Sequence, residues 1–253
     1  MNILFTICGR GGSKGFKNKN LKKMNGIPLV YYTLAVIRLY QEAHPSDVVT
    51  VAVNTDSEEL LETVRSQKTV SGIQEVERKG TLAGDRAAKV EVIKDTYFRC
   101  RAKGAFDAVV DLDITSPMRR LGDVEEAIRV LKGEGGCDLV FSVVPARRSP
   151  YFNMVEKRQE YYRKICPSRY TARQQAPKAY ELNASIYAYT PGFLEREIEK
   201  TILDYNCGIV QMPDYLVLDI DSEEDFRLMS MLMEYFKQKD KELERVVFLA
   251  EKL

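Results

Sequence analysis

Short β-branched or apolar runs alternate along this chain with longer amphipathic stretches, and that alternation confines it to an α/β fold on a mainly parallel sheet. Strands are expected over 3–8, 48–54, 108–112, 139–144, 185–189 and 208–212. Helices are expected over 28–40, where Pro28 suits a first turn, and over 57–65, 85–101 and 123–131. Asp123 and Glu126 have capping-box spacing, and a long helical tail begins near Ser222. One stretch breaks the rhythm. Residues 145–182 are rich in Arg, Tyr, Pro and Gln and do not read as another strand and helix. A connection of that length is usually a lid, a binding arm or a subunit contact. With 253 residues, 45% of them hydrophobic, the chain can bury a core as one domain over 1–253 carrying an inserted arm at about 145–182.

The charges exclude several function classes. Thirty-eight Lys and Arg oppose 37 Asp and Glu for a net charge of +1, which argues against a nucleic-acid binder with its large basic excess. Cys8, Cys100, Cys137, Cys166 and Cys207 are scattered and odd in number, so they form neither a zinc motif nor a disulfide framework. No run approaches a membrane span, and the N-terminal apolar run is too short for a signal peptide. The expectation is a reduced, soluble, cytoplasmic protein with no nucleic-acid or membrane partner.

In open parallel sheets ligands bind beyond the carboxyl ends of the strands, so motifs that directly follow a strand carry the most weight. After the first strand comes Gly9-Arg10-Gly11-Gly12-Ser13-Lys14-Gly15, then Phe16-Lys17-Asn18-Lys19-Asn20. Glycines bring backbone N–H groups close to an anion, and Arg and Lys add charge-assisted bonds to phosphate oxygens. The run suits a triphosphate cradle. It is neither a Walker A loop nor the dinucleotide fingerprint, since Lys14 stands where that pattern needs glycine. The plain alternative is a solvated basic turn.

This run is similar to the N-terminal signature of the CMP-sialic acid synthetases (acylneuraminate cytidylyltransferases), A-R-x-x-S-K-G-x-P-x-K-N, with Gly9 in place of Ala and Lys17 in place of Pro. The resemblance implies a Rossmann-like nucleotidyltransferase sheet flanked by helices. It also implies that Arg10, Gly12, Ser13, Lys14, Lys19 and Asn20 hold CTP. Arg78 to Asp85 (RKGTLAGD) resembles R-P-x-x-L-A-x-D, which lies against cytosine in that family, so Arg78 and the backbone near Ala87 are expected at the base. Read alone, Asp85 is an N-cap for the next helix. Lys89 stands where a small hydroxyl residue is expected.

Asp111-Leu112-Asp113-Ile114-Thr115-Ser116-Pro117-Met118-Arg119 resembles L-Q-x-T-S-P-x-R, with Asp113 in the glutamine position. Glutamine can only hydrogen-bond, whereas a carboxylate can also ligate a hard cation, so Asp113 is expected either to contact the sugar or to join a Mg²⁺ site. Thr115 and Ser116 are implied substrate contacts. Arg173-Gln174-Gln175-x-Pro177 followed by Asn183-Ala184-Ser185-Ile186-Tyr187 is similar to R-x-Q-x-P and N-G-A-I-Y. That similarity implies a carboxylate-binding role for Arg173 and sugar contacts for Asn183, Gln174 and Tyr180. The surrounding arm resembles the family's dimerisation element and implies a homodimer.

Near the end, Asp219-Ile220-Asp221 followed by Ser222 to Asp225 resembles D-I-D-x-x-E-D. Asp219 and Asp221 lie on one side of an extended backbone, which suits shared ligation of Mg²⁺, while Ser222 and Asp225 have capping-box spacing. Together these matches imply a Mg²⁺-dependent enzyme that joins CTP to a nonulosonic acid, with Arg10, Lys14, Lys19 and Asp221 as catalytic residues. The rivals are a cytidylyltransferase for a shorter acidic sugar or polyol phosphate, and a nucleotide binder without catalysis. No general base stands out, and His44 reads as a surface residue.

Overall fold

The computed structural model describes residues 1–253 apart from 13, 14, 85, 86 and 103. Eleven strands and seven helices run in the order β1 (Asn2–Cys8), β2 (Lys23–Met24), β3 (Ile27–Pro28), α1 (Leu29–Ala43), β4 (Val48–Thr55), α2 (Glu58–Ser66), β5 (Ile73–Glu77) and α3 (Lys89–Arg101) among the described residues. The chain continues through β6 (Ala108–Leu112), α4 (Leu121–Lys132), β7 (Leu139–Pro145), β8 (Val155–Arg158), β9 (Tyr161–Lys164), β10 (Tyr180–Tyr189), α5 (Pro191–Glu195), β11 (Cys207–Gln211), α6 (Glu223–Phe236) and α7 (Lys241–Ala250).

Seven strands form one sheet in the order β11-β7-β10-β6-β1-β4-β5. All its pairings are parallel except those of β10, which runs antiparallel between β6 and β7. The centre is buried on both faces, as parallel sheets are. On β1, Ile3, Phe5 and Ile7 pack into one cluster with α1, α2, α4, α6 and α7, while Leu4 packs into a second cluster with α3 and α5. All four side chains are fully buried. Hydrophobic contact with helices on both faces is therefore what holds the sheet flat in its layer.

From β1 the chain builds outward to β4 and β5, then crosses back to place β6 on the other side of β1. The reversal opens a crevice at the carboxyl ends of β1 and β6, where such sheets bind ligands.

The expected strands and helices are present, with informative differences at their ends. Helix α3 begins at Lys89 rather than near residue 85. In α4, Asp123 is the third helical residue and not the cap: its carboxylate accepts from the Arg120 backbone N–H at 3.0 Å, closing the helix start from inside. The tail is two helices, because the Asp240 carboxylate accepts from the N–H groups of Glu242 and Leu243 and starts α7 afresh. Ser222 and Asp225 do form a capping box at α6. Strand β5 was not expected, since IQEVE is polar at an edge and carries little apolar signal. The arm contains the hairpin β8-β9 and rejoins the sheet at Tyr180, five residues before the expected strand. No helix among the described residues is long and apolar enough to cross a membrane.

Candidate active site

Where β1 ends, Gly9 donates its N–H to the Asn54 carbonyl at 3.1 Å. A Cβ at Gly9 would lie 2.6 Å from Leu60 Cδ2 and 2.8 Å from Ile114 Cδ1, so any larger residue here must push aside the ends of those two side chains where the loop passes between α2 and the turn after β6. The loop is tied down at three points. Gly11 N–H donates to Asp56 Oδ1 at 2.7 Å, and Asn20 Nδ2 donates to the Arg10 carbonyl at 3.0 Å. Lys19 Nζ donates to the Ile220 carbonyl at 2.7 Å and to Asp221 Oδ1 at 2.9 Å. The last contact joins the basic loop to the acidic segment more than two hundred residues away in sequence. Ser13 and Lys14 lie outside the described residues, as does Asp85.

On the base side, Arg78 is buried with its guanidinium fixed on Asn54: Nε donates to Oδ1 at 2.9 Å and Nη2 to the carbonyl at 3.2 Å. Asn54 Nδ2 in turn donates to Thr96 Oγ1 at 2.9 Å. The chain β4–Arg78–α3 is thus one hydrogen-bonded frame along a cavity edge.

At the end of β6, Asp111 is fully buried and accepts from the Thr6 hydroxyl at 2.7 Å. Lys89 Nζ lies 2.8 Å from Asp111 and 2.6 Å from Asp113. Asp113 Oδ1 also accepts from the Thr115 N–H at 2.9 Å and hydroxyl at 2.8 Å. Burial alone would pull the Lys89 ammonium down, but the two carboxylates outweigh it and hold the lysine protonated well above its ordinary range. Burial likewise works to raise Asp113, yet Lys89 and Thr115 keep its carboxyl far below the usual carboxylate range. Cys8 lines the same cavity; burial, reinforced by Asp111, pushes its thiol up, so it is an unreactive neutral group.

Asp219 faces these groups. Burial first and the Asp113 charge second push its carboxyl above the usual range, against Thr115 and Lys19, which favour the ionised form. Among the described residues no Lys or Arg makes an ion pair with it. Ile220, which donates its N–H to the Thr115 carbonyl at 3.0 Å and buries its side chain, holds Asp219 and Asp221 on either side of itself. Two carboxylates flanking Ile220, one of them lining the cavity, suit a hard divalent ion completed by phosphate and water oxygens, as Mg²⁺ is usually held. No group of three or more His, Cys, Asp or Glu that could hold a metal ion occurs among the described residues.

The fold gathers Arg10, Lys19, Asn20, Arg78, Ala87, Asp113, Thr115 and Asp219 around one cavity of about 280 Å³. Other expected site residues lie elsewhere. Gly12 sits on the exposed part of the loop with φ of 67°, and the Asp221 side chain is 79% exposed at the rim, held by Lys19. Ser116 is buried behind the cavity, where its hydroxyl donates to the Asn183 carbonyl at 3.1 Å and to Asp219 Oδ1 at 3.2 Å. The Asn183 amide is also spent internally, since Oδ1 accepts from Ser142 at 2.6 Å and Nδ2 donates to the Leu216 carbonyl at 2.8 Å. Arg173, Gln174 and Tyr180 line a second cavity of about 400 Å³ under the arm, with no residue in common with the first. His44 stacks on Tyr40 and pairs with Glu125, remote from both.

Two residues of the site carry little sequence signal. Lys89 stood out only as a charge where the resemblance led one to expect a small hydroxyl residue. Arg119 is fully buried beneath Asp113, with Nε donating to Ser185 Oγ at 3.1 Å and Nη2 to the carbonyls of Ser116, at 2.7 Å, and of Asp113. The signal for Arg119 was its place at the end of the TSPxR motif.

Comparison with known proteins follows from this geometry. The family profile described as "Cytidylyltransferase" matches residues 4–252. A "Post-translational flagellin modification protein B" of Campylobacter coli is 34% identical over 237 residues, covering 91% of this chain and 94% of that protein. A "CMP-N,N'-diacetyllegionaminic acid synthase" of Campylobacter jejuni is 35% identical over 233 residues, with the same coverage of each chain. Among solved structures, CMP:2-keto-3-deoxy-manno-octonic acid synthetase in complex with CTP superposes with a TM-score of 0.66 at 17% identity, over 93% of this chain and 99% of that one, and shows the shared fold.

Proposed function

Since the chain belongs to the cytidylyltransferase family, we propose that it joins CTP to a nonulosonic acid of the sialic or legionaminic type, giving a CMP-sugar and pyrophosphate. One observation carries the reading. The loop after β1 and the acidic segment before α6 meet through Lys19, Ile220 and Asp221, and set basic and acidic groups on opposite sides of one cavity at the sheet's switch point.

In the proposed reaction the anomeric hydroxyl oxygen of the sugar forms a bond to the α-phosphorus and its proton passes to solvent, while the bond from that phosphorus to the α,β-bridging oxygen of CTP breaks and that oxygen leaves with pyrophosphate. Such transfers need little covalent chemistry, so positioning and charge neutralisation dominate. Arg10 and Lys19 hold the triphosphate, with Lys14 and Ser13 assigned to the same task by the sequence motif alone. Lys19 is itself steered by Asp221 and the Ile220 carbonyl, which fixes its ammonium at the cavity edge. Asn20 braces the loop through the Arg10 carbonyl. Arg78 and the backbone at Ala87 face the cytosine end. Asp219 and Asp221 would hold Mg²⁺, whose charge, when bound, offsets that of the phosphates and of the departing pyrophosphate. The site is proposed to work in the cytoplasm.

The test is pyrophosphate release from CTP and Mg²⁺ with a panel of acids headed by N,N'-diacetyllegionaminic acid and an N-acylneuraminate, with a shorter acidic sugar included. Release with at least one nine-carbon acid is expected. Silence with all of them removes the reading, and release with the shorter acid alone moves it to another acceptor.

Arg173 and the homodimer form a linked part of the proposal. Val155, Tyr161 and Tyr162 leave the hairpin β8-β9 with large exposed apolar surface, which supports a subunit contact. Arg173 lies at the base of that arm, apart from the CTP cavity of its own chain. Light scattering is expected to give twice the 28.9 kDa chain mass, and Arg173→Lys is expected to raise the KM for the acid while leaving that for CTP. A monomer with unchanged acid KM in Arg173→Lys would refute both.

A further inference from the structure

Lys89 opens α3 directly behind the base-side loop, and its ammonium sits between Asp111, at 2.8 Å, and Asp113, at 2.6 Å. The Tyr187 ring centre is 5.0 Å away on a third side. Two carboxylates converging on one point is the arrangement that otherwise collects a divalent ion. Here a side chain of the protein already occupies the point.

The pair also has a direction. Thr115 holds Asp113 Oδ1 through two hydrogen bonds, and Lys89 takes Oδ2, which leaves that oxygen one further lone pair. Asp113 lines the cavity, while Asp111 behind it is fully buried and bonded to Thr6. Lys89 lines the first cavity beside Asp113 and also walls another of about 280 Å³ with Tyr187 and Tyr189, whose lining shares no residue with the loop after β1.

We propose that Lys89 is a positioning residue for the acceptor. Its ammonium is a built-in cation that aims the Asp113 carboxylate at a sugar hydroxyl and keeps a divalent ion out of the space between Asp111 and Asp113. This rests on the reading that the cavity takes a polyhydroxylated acid.

Lys89→Met, Lys89→Arg and Asp113→Asn test it, with Mn²⁺ binding to the nucleotide-free protein counted by electron paramagnetic resonance and KM and kcat measured for each substrate. Lys89→Met is expected to bind one Mn²⁺ more per chain than the unaltered protein and to lose that ion when Asp113→Asn is added. Its KM for the acid should rise about 10- to 100-fold, the size of a lost charge-assisted hydrogen bond, with the KM for CTP unchanged. Lys89→Arg should recover most of that rise. Asp113→Asn retains the lysine and should raise the same KM without an added ion, which keeps the idea testable where Lys89→Met does not fold. Equal Mn²⁺ counts in Lys89→Met and the unaltered protein would overturn it, as would a loss confined to kcat or to CTP. Because the ion count needs no sugar, failure of every acid in the panel would sink the functional reading and still leave this one to be decided.

Discussion

Asp219→Asn is expected to slow pyrophosphate release by about a thousandfold, the scale on which charge stabilisation acts in such transfers. The substitution is close to isosteric, and its side-chain oxygen can still accept from Ser116. What it removes is the charge opposite the phosphate loop. Stability should move the other way. The Asp219 carboxyl is pushed up by burial and by Asp113, so its ionised form costs the fold stability at neutral pH, a cost absent below the unfolded carboxylate range and growing as pH rises through the folded one. The neutral amide is free of that cost. A urea midpoint equal to or above that of the unaltered protein, together with the thousandfold loss in rate, would show a residue kept for chemistry at some expense to the fold. A rate within about tenfold of the unaltered enzyme would remove Asp219 from the reacting centre.

Arg119→Met is expected to have the largest effect on stability, about 3–5 kcal/mol, as measured for one-sided removal of a buried ionic partner. The Arg119 side chain is fully buried, and burial pushes its guanidinium down to about 10, opposed by Asp113, Asp111, Asp123 and Asp219. It stays charged at neutral pH and holds the turn after β6 by donating to the carbonyls of Asp113 and Ser116. Methionine fills much of the volume but leaves those carbonyls and the Ser185 hydroxyl without their donor, and takes one positive charge away from the neighbouring acids. The readout is the denaturant midpoint, with the fold checked by far-UV circular dichroism. An unchanged midpoint would mean that the arginine is not what fixes the turn.

Much of this architecture could be read from the chain. Buried parallel strands such as 3–8 and 108–112 announce themselves as unbroken apolar runs, since both faces must be covered. The loop after β1 drew attention by composition, since glycine, arginine and lysine clustered directly after a buried strand suit an anion. Strand β5 escaped because an edge strand answers to solvent on one side and shows no such run. Lys89 escaped because its role depends on two aspartates more than twenty residues away, whose placement is set by sheet order rather than by local pattern. Asn183 looked like a ligand contact in sequence. In the fold its amide is consumed by Ser142 and Leu216, a competition that only tertiary neighbours reveal.

The arm leaves and returns through a closed gate. Pro145, where β7 ends, pairs in register with Tyr180, where β10 begins, and just beyond them the Ala146 N–H donates to the Ala179 carbonyl at 3.0 Å. Residues 147 to 178 therefore leave and rejoin the sheet at two neighbouring points, with Arg147 also paired to Asp214 beyond β11. The entropy of closing such a loop grows only with the logarithm of its length, so residues can be gained or lost there at well under 1 kcal/mol each. Length in the arm is thus cheap for the sheet, and what bounds it is the need to keep Arg173 and its neighbours over their own cavity.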